Sequence, residues 1–195
     1  LVQGRADIPL SELGQRQAAA LATALADEPI AAVVSSPLRR ARDTAVAIAA
    51  VHGLTVLVEP ELVEMDVGGM EGLSGAQMRS RYPDVLTRWL EPGGTAVPLP
   101  GGESLAAVQA RAWQVVTRLG ERFPGDTVVA VTHNFVIAGI VCRALDVPLD
   151  GFRRFRIDVA SRTTVEIGPE RCLVLHLNDT CHLHALKGGP TPAER

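Results

Sequence analysis

Thr127-Val128-Val129-Ala130-Val131-Thr132-His133-Asn134-Phe135-Val136-Ile137-Ala138 is the stretch that decides the fold. Its first half is small and apolar or β-branched, as in a strand buried on both faces inside a parallel sheet. The run breaks at His133-Asn134, and Phe135, Ile137, Ala138, Val141 and Leu145 then mark an apolar helix. In open α/β sheets, ligands gather at the carboxyl ends of strands. A histidine at that edge, beside the positive end of a helix, stands where an anion would be held. The plainer alternative is a histidine that satisfies a backbone group, so the rest of the chain has to decide.

Upstream, residues 1–9 read as a loop. Ser11 reads as the cap of a helix with Ala18, Leu21, Ala22 and Leu25 on one face, stopped by Pro29. Ile30 to Ser35 is a short apolar strand. Ser36-Pro37 then opens a second helix, with Ser36 as N-cap, Pro37 at the first helical position, and Ala41, Ala45, Ile48 and Ala49 buried. Leu54 to Val58 is a further strand. Glu103-Ser104 opens a long helix with Leu105, Val108, Ala112, Val115, Val116 and Leu119 on its core face, ended by Pro124-Gly125. Thr163 to Ile167 and Cys172 to Leu177 read as closing strands around the turn Gly168-Pro169-Glu170-Arg171, paired as a hairpin at one edge of the sheet. Strand and helix in alternation predict parallel pairing with right-handed crossovers. The expected fold is a three-layer α/β/α sandwich with a mostly parallel central sheet. Residues 1–186 form one domain in this scheme and 187–195 a flexible Gly/Pro-rich tail.

Composition narrows the function. The chain has 195 residues, 47% hydrophobic, with a net charge of −3. That length supports one full core. No basic excess points to nucleic acid, and no apolar run is long enough for a membrane span. Cys142, Cys172 and Cys181 are odd in number and widely spaced, which argues against a disulfide framework and for a reducing, cytoplasmic setting. A homodimer is the assembly to test.

Three further segments carry chemistry. Arg39, Arg40 and Arg42 crowd the start of the second helix, where the dipole disfavours cations unless an anion is present. Such an arginine could grip phosphate by a two-pronged contact, or the group could be a solvated face paired with Asp43. Leu62 to Gly72 places Glu64, Asp66 and Glu71 among apolar residues and glycines. A carboxyl partly buried there could act as a general acid. Short helical pieces follow at 75–81 and 84–90, then a Gly/Pro-rich passage, so that 65–100 reads as a cover over the site. Met65, Met70, Tyr82 and Trp89 either line an apolar wall or belong to the core. Cys181, His182 and His184, with His176, lack the usual zinc spacings. A strand alternation accounts for His182 and His184 instead, so neither metal nor cofactor is expected.

Six segments in order resemble the histidine phosphatase superfamily, the phosphoglycerate mutase-like fold, of its broad-specificity phosphatase type. They are Gln3-Gly4-Arg5-Ala6-Asp7-Ile8-Pro9-Leu10 with Leu13-Gly14 and Gln17-Ala18; Ser35 to Ala45; Leu62 and Glu64 with Gly68, Glu71 and Gly72; Pro100 to Ser104; Val131-Thr132-His133; and Asn178 to Leu183. The resemblance implies phosphate-monoester hydrolysis through a phosphohistidine, with a small phosphorylated metabolite as the partner. It makes Arg40 the phosphate-gripping arginine, His133 the stabilising pocket histidine and Glu64 the proton donor. Gln3 and Gly4 would touch phosphate or substrate, and Asn134, also at the substrate, stands where the family often has Gly. The family's Arg-His-Gly motif, with its nucleophilic histidine, belongs just upstream of the segment matching Gln3-Gly4. Roughly 10–25 further residues, one strand and a turn, are therefore expected ahead of Leu1. A phosphoglycerate mutase is the rival enzyme, although 65–100 is short for one. A noncatalytic phosphate-binding or scaffold relative is the rival of another class, and a nucleotide-binding module lacks a glycine loop.

Overall fold

The computed structural model describes residues 1–168 and 170–187. Pro169 of the expected turn and residues 188–195 of the expected tail lie outside that range. Three parallel strands, β1 (Ile30–Ser35), β2 (Val56–Val58) and β3 (Thr127–Val131), form a sheet of order β2-β1-β3. Ser35 lies opposite Val58 on one side and Val131 on the other, so the carboxyl ends of all three strands are level.

Alternation along β1 separates two cores. Val33 faces α1 (Glu12–Leu25) and α2 (Arg39–Val51), packing with Leu21, Leu25, Ala45 and Ile48. Val34 faces the other way, toward α5 (Leu105–Arg122), with Leu62, Met65, Leu105, Val108 and Val136. A period of two in the strand thus sets the three layers. Each fully buried Val or Leu here contributes about 1.5–3 kcal/mol through removal from water. The expected buried faces of α1 and α2 are the observed ones, residue for residue.

Several local expectations are corrected. Ser36 does not cap α2, which begins at Arg39 after Leu38, with no side-chain cap. The Ser36 hydroxyl instead accepts from the Leu38 N–H at 3.3 Å, a tight turn that delays the helix. The second strand begins at Val56, not Leu54. β3 is not buried on both faces: Thr127 and Ala130 are exposed, and among the described residues β3 pairs only with β1. The closing strands β4 (Arg162–Ile167) and β5 (Cys172–Asp179) do pair antiparallel, but as a separate two-stranded sheet. They pack on α6 (Asn134–Ala144) instead of joining the parallel sheet. Residues 181–187 form a 3-10 turn and not a strand, with His182 at the Ala160 carbonyl and His184 exposed.

Residues 65–100 carry the two expected helices, α3 (Gly75–Arg81) and α4 (Pro83–Leu90), the second starting one residue early, with 3-10 turns at Gly68–Met70 and Gly94–Ala96 on either side. Met65 and Met70 belong to the core, at 0% and 2% exposure. Tyr82 and Trp89 pack partly buried against the same core. Gly68, at φ 51°, is required at its position: a Cβ there would sit 2.2 Å from the Pro100 carbonyl oxygen. Among the described residues, no helix is long and apolar enough to cross a membrane. The three cysteines are unbridged.

Candidate active site

The site is assembled at the level carboxyl ends of β1 and β3. Ser36 follows β1 and His133 follows β3, and strand pairing brings them together: His133 Nε2 lies 2.7 Å from Ser36 Oγ. His133 is 8% exposed and serves as the N-cap residue of α6. Burial, with the positive charges of Arg40 and Arg111, lowers its pKa to about 3. At neutral pH the imidazole is therefore neutral, with one N–H to donate.

Arg40 rises from the first turn of α2. Its Nη1 donates to the Ala6 carbonyl at 2.7 Å and its Nη2 to the Gly4 carbonyl at 2.8 Å. Burial lowers its pKa, opposed by the charges of Glu64, Glu71 and Asp7. Arg39 and Arg42 are exposed, and the Arg39 backbone N–H donates to Asp7. The three arginines, equal in sequence, are thus unequal in space, and only Arg40 turns toward the pocket.

Glu64 is 4% exposed. Its carboxyl accepts from the Met65 N–H at 2.8 Å and from the Phe135 N–H at 3.4 Å, at the start of α6. Burial nevertheless dominates and raises its pKa to about 7, against those hydrogen bonds and the pull of Arg40 and Arg111. The group is poised to hold or release a proton near neutrality. Asp66, an alternative acid on sequence grounds, instead closes a local turn by accepting from Gly68.

Glu71 does a different task. Its carboxylate takes the N–H groups of Gly4 at 2.9 Å, Arg5 at 2.9 Å and Ala6 at 3.4 Å. It clamps the loop whose carbonyls Arg40 holds. Gly4 is buried there, and a Cβ would meet Met65 O and Val67 Cγ2, both at 2.8 Å. Only glycine fits this close approach. Gln3 is exposed beside it, and Asn134 is exposed at the first position of α6.

Two supporting roles escaped the sequence reading. Arg111, on α5, donates to the carbonyls of Glu61 at 2.5 Å and Glu64 at 3.3 Å, and forks onto Glu103 at 3.1 Å. Glu103 also accepts from the Asp66 N–H and pairs with Arg5 at 3.1 Å. Burial alone would raise the Glu103 pKa, but Arg111, that N–H and Arg5 hold it below the usual range. The available signal was an arginine between Val108, Ala112 and Val115 on an otherwise apolar helix face.

A family model described as the histidine phosphatase superfamily, branch 1, matches residues 1–180. Phosphoserine phosphatase 1 of Hydrogenobacter thermophilus is 36% identical over 181 residues, spanning 93% of this chain and 85% of that protein. A bifunctional protein of Mycobacterium tuberculosis is 41% identical over 164 residues, which are 84% of this chain and 44% of that protein. The solved complex of mycobacterial glucosyl-3-phosphoglycerate phosphatase with inorganic phosphate superimposes with a TM-score of 0.84 at 32% identity, over 93% of this chain and 92% of that one. The chain, with its parallel α/β sheet and its strand-end histidine, belongs to the histidine phosphatase superfamily.

Proposed function

We propose that this chain is the phosphate-binding and proton-donating body of a phosphatase that hydrolyses small phosphate monoesters through a phosphohistidine. The observation that carries this is the meeting of Arg40, neutral His133 and a buried acid, Glu64, whose pKa of about 7 reflects burial against the field of Arg40. In that reading Arg40 turns from the Gly4 and Ala6 carbonyls to grip the phosphoryl oxygens. His133 donates its one N–H to another oxygen. The dianion's own charge would raise the His133 pKa and strengthen that contact. Phosphoryl transfer needs chiefly such positioning and charge stabilisation.

A histidine nitrogen attacks phosphorus, the phosphorus–alkoxide bond breaks, and Glu64 gives its proton to the departing oxygen. Water then attacks the phosphohistidine, Glu64 takes a proton from it, and phosphate leaves with the imidazole restored. His133 is the histidine brought beside Arg40; His52 lies at the far end of α2. The accepting histidine in this reading is the one of the Arg-His-Gly motif that the family resemblance implies. Gln3, Gly4 and Asn134 border the substrate in the same reading.

The test is hydrolysis of p-nitrophenyl phosphate and 3-phosphoglycerate by the full gene product, with intact-mass detection of an acid-labile phosphohistidine. Release of phosphate from both, with the trapped intermediate, is expected. Isomerisation of 3-phosphoglycerate without phosphate release would make the protein a mutase, and inertness of the full product would make it a noncatalytic relative.

A further inference from the structure

Ser36 carries a fully buried hydroxyl that has no part in the steps proposed above. Its backbone is pinned on both sides. The N–H donates to the Val131 carbonyl at 2.9 Å, and the carbonyl accepts from Ser35 Oγ at 2.9 Å. The side chain therefore projects from a fixed point at the end of β1, beside the end of β3. There it meets two groups, the Leu38 N–H at 3.3 Å and His133 Nε2 at 2.7 Å.

The direction of the second contact is set by the protons available. A hydroxyl has one hydrogen to give and two lone pairs to offer. The Leu38 N–H can only donate, so it occupies a lone pair. The hydroxyl hydrogen then needs an acceptor, and among the described residues His133 Nε2 is the acceptor within reach. Were Nε2 protonated, the Ser36 hydrogen would be buried without a partner, at the cost of an unmade hydrogen bond. Burial, with the fields of Arg40 and Arg111, keeps the ring neutral, so its one proton must choose a nitrogen. The bond made by one ring nitrogen settles the state of the other.

The other nitrogen, Nδ1, makes no hydrogen bond among the described residues and is not sealed from solvent. With the proton there, the imidazole presents a donor, as the Arg40 guanidinium does. With the proton on Nε2, it would turn a lone pair toward an incoming phosphoryl oxygen and repel it.

We propose that Ser36 is a positioning residue that holds His133 in its Nδ1–H tautomer, so that the imidazole meets a phosphoryl oxygen with an N–H and not with a lone pair. The proposal rests on the phosphatase reading of the pocket. Ser36, being fully buried, acts through the ring and not on the substrate. Loss of its hydroxyl leaves Nε2 enclosed without a donor and frees the proton to move between the two nitrogens.

Nitrogen-15 NMR of the His133 imidazole in the full gene product near neutral pH reads the tautomer directly, with assignment by comparison with His133→Gln. One neutral form protonated at Nδ1 is expected. A ring protonated at Nε2 in the unmodified protein overturns the proposal, and this measurement needs no variant at Ser36. Ser36→Ala should add the Nε2–H form and weaken binding of inorganic phosphate about five- to tenfold, as loss of one neutral hydrogen bond allows. An unchanged tautomer in Ser36→Ala, with or without weaker phosphate binding, overturns the assignment to Ser36. An Nδ1–H ring in an unmodified protein that binds no inorganic phosphate overturns the phosphate pocket itself, and with it the purpose given to the tautomer.

Discussion

Ser36 and His133 stand at the ends of paired strands, whereas Glu64 and Glu71 stand in a loop without regular pairing. In the first region the backbone ladder places the side chains: Ser35 opposite Val131 fixes where the next residues emerge. In the second region side chains place the backbone. Arg111 holds the Glu61 and Glu64 carbonyls, Glu103 holds the Asp66 N–H, and Glu71 holds residues 4–6. Rigidity therefore comes from non-local pairing in one half and from charged hydrogen bonds in the other. The first should tolerate changes of charge and fail on changes of packing; the second should do the reverse.

The largest effect should come where the two regions meet. Arg40→Lys keeps the charge but loses the fork, and kcat of the full product should fall about 10²–10³-fold. Arg39→Ala and Arg42→Ala, on exposed positions, should cost far less. Equal losses from all three, with folding intact, would break the distinction between the pocket arginine and its neighbours.

Glu64→Gln should be the next most severe, and selective. Alkyl phosphates need their leaving oxygen protonated and should slow about 10²-fold, while p-nitrophenyl phosphate is largely spared. Identical losses on both substrates would make Glu64 structural.

The same substitution has a stability signature. The folded Glu64 pKa, about 7, exceeds the ordinary 4.5, so the folded state holds the proton more tightly. Stability from this group is intact below pH 4.5 and falls as pH rises toward 7. Glu64→Gln should remove that loss, gaining about 3 kcal/mol at pH 8 relative to pH 4. His133 acts oppositely, since its folded pKa of about 3 lies below the ordinary 6.5, and stability falls as pH drops between them. Denaturant melts across pH 4–8 on His133→Gln and Glu64→Gln separate the two slopes.

A smaller effect is expected from Glu71→Ala, about 1–2 kcal/mol of stability from lost charged hydrogen bonds. Amide exchange of Gly4, Arg5 and Ala6 should quicken selectively. Uniform exchange across the domain would show that the clamp is not local.

The same contrast explains what was legible in the sequence. Strand limits at Ile30–Ser35, the buried faces of α1 and α2, and the strand-end position of His133 follow from local periodicity, which a single chain displays. Glu64 and Glu71 were visible as carboxylates, but their division of labour was not. It depends on whether a carboxyl meets a few backbone donors inside the core or three at a loop near the surface. Arg111 was hidden because its partners are 8 to 50 residues away and mostly carbonyls, which carry no sequence signature. The partial exposure of β3 was misjudged because apolar content reports what a strand can pack against, not which neighbours it has.

The most direct test is a titration of the Glu64 carboxyl by carbon-13 NMR, assigned by comparison with Glu64→Gln. A midpoint near 7 is predicted. A midpoint near 4.5 would leave an ionised carboxylate at neutral pH, and would contradict the proton-donating role on which the account of this site depends.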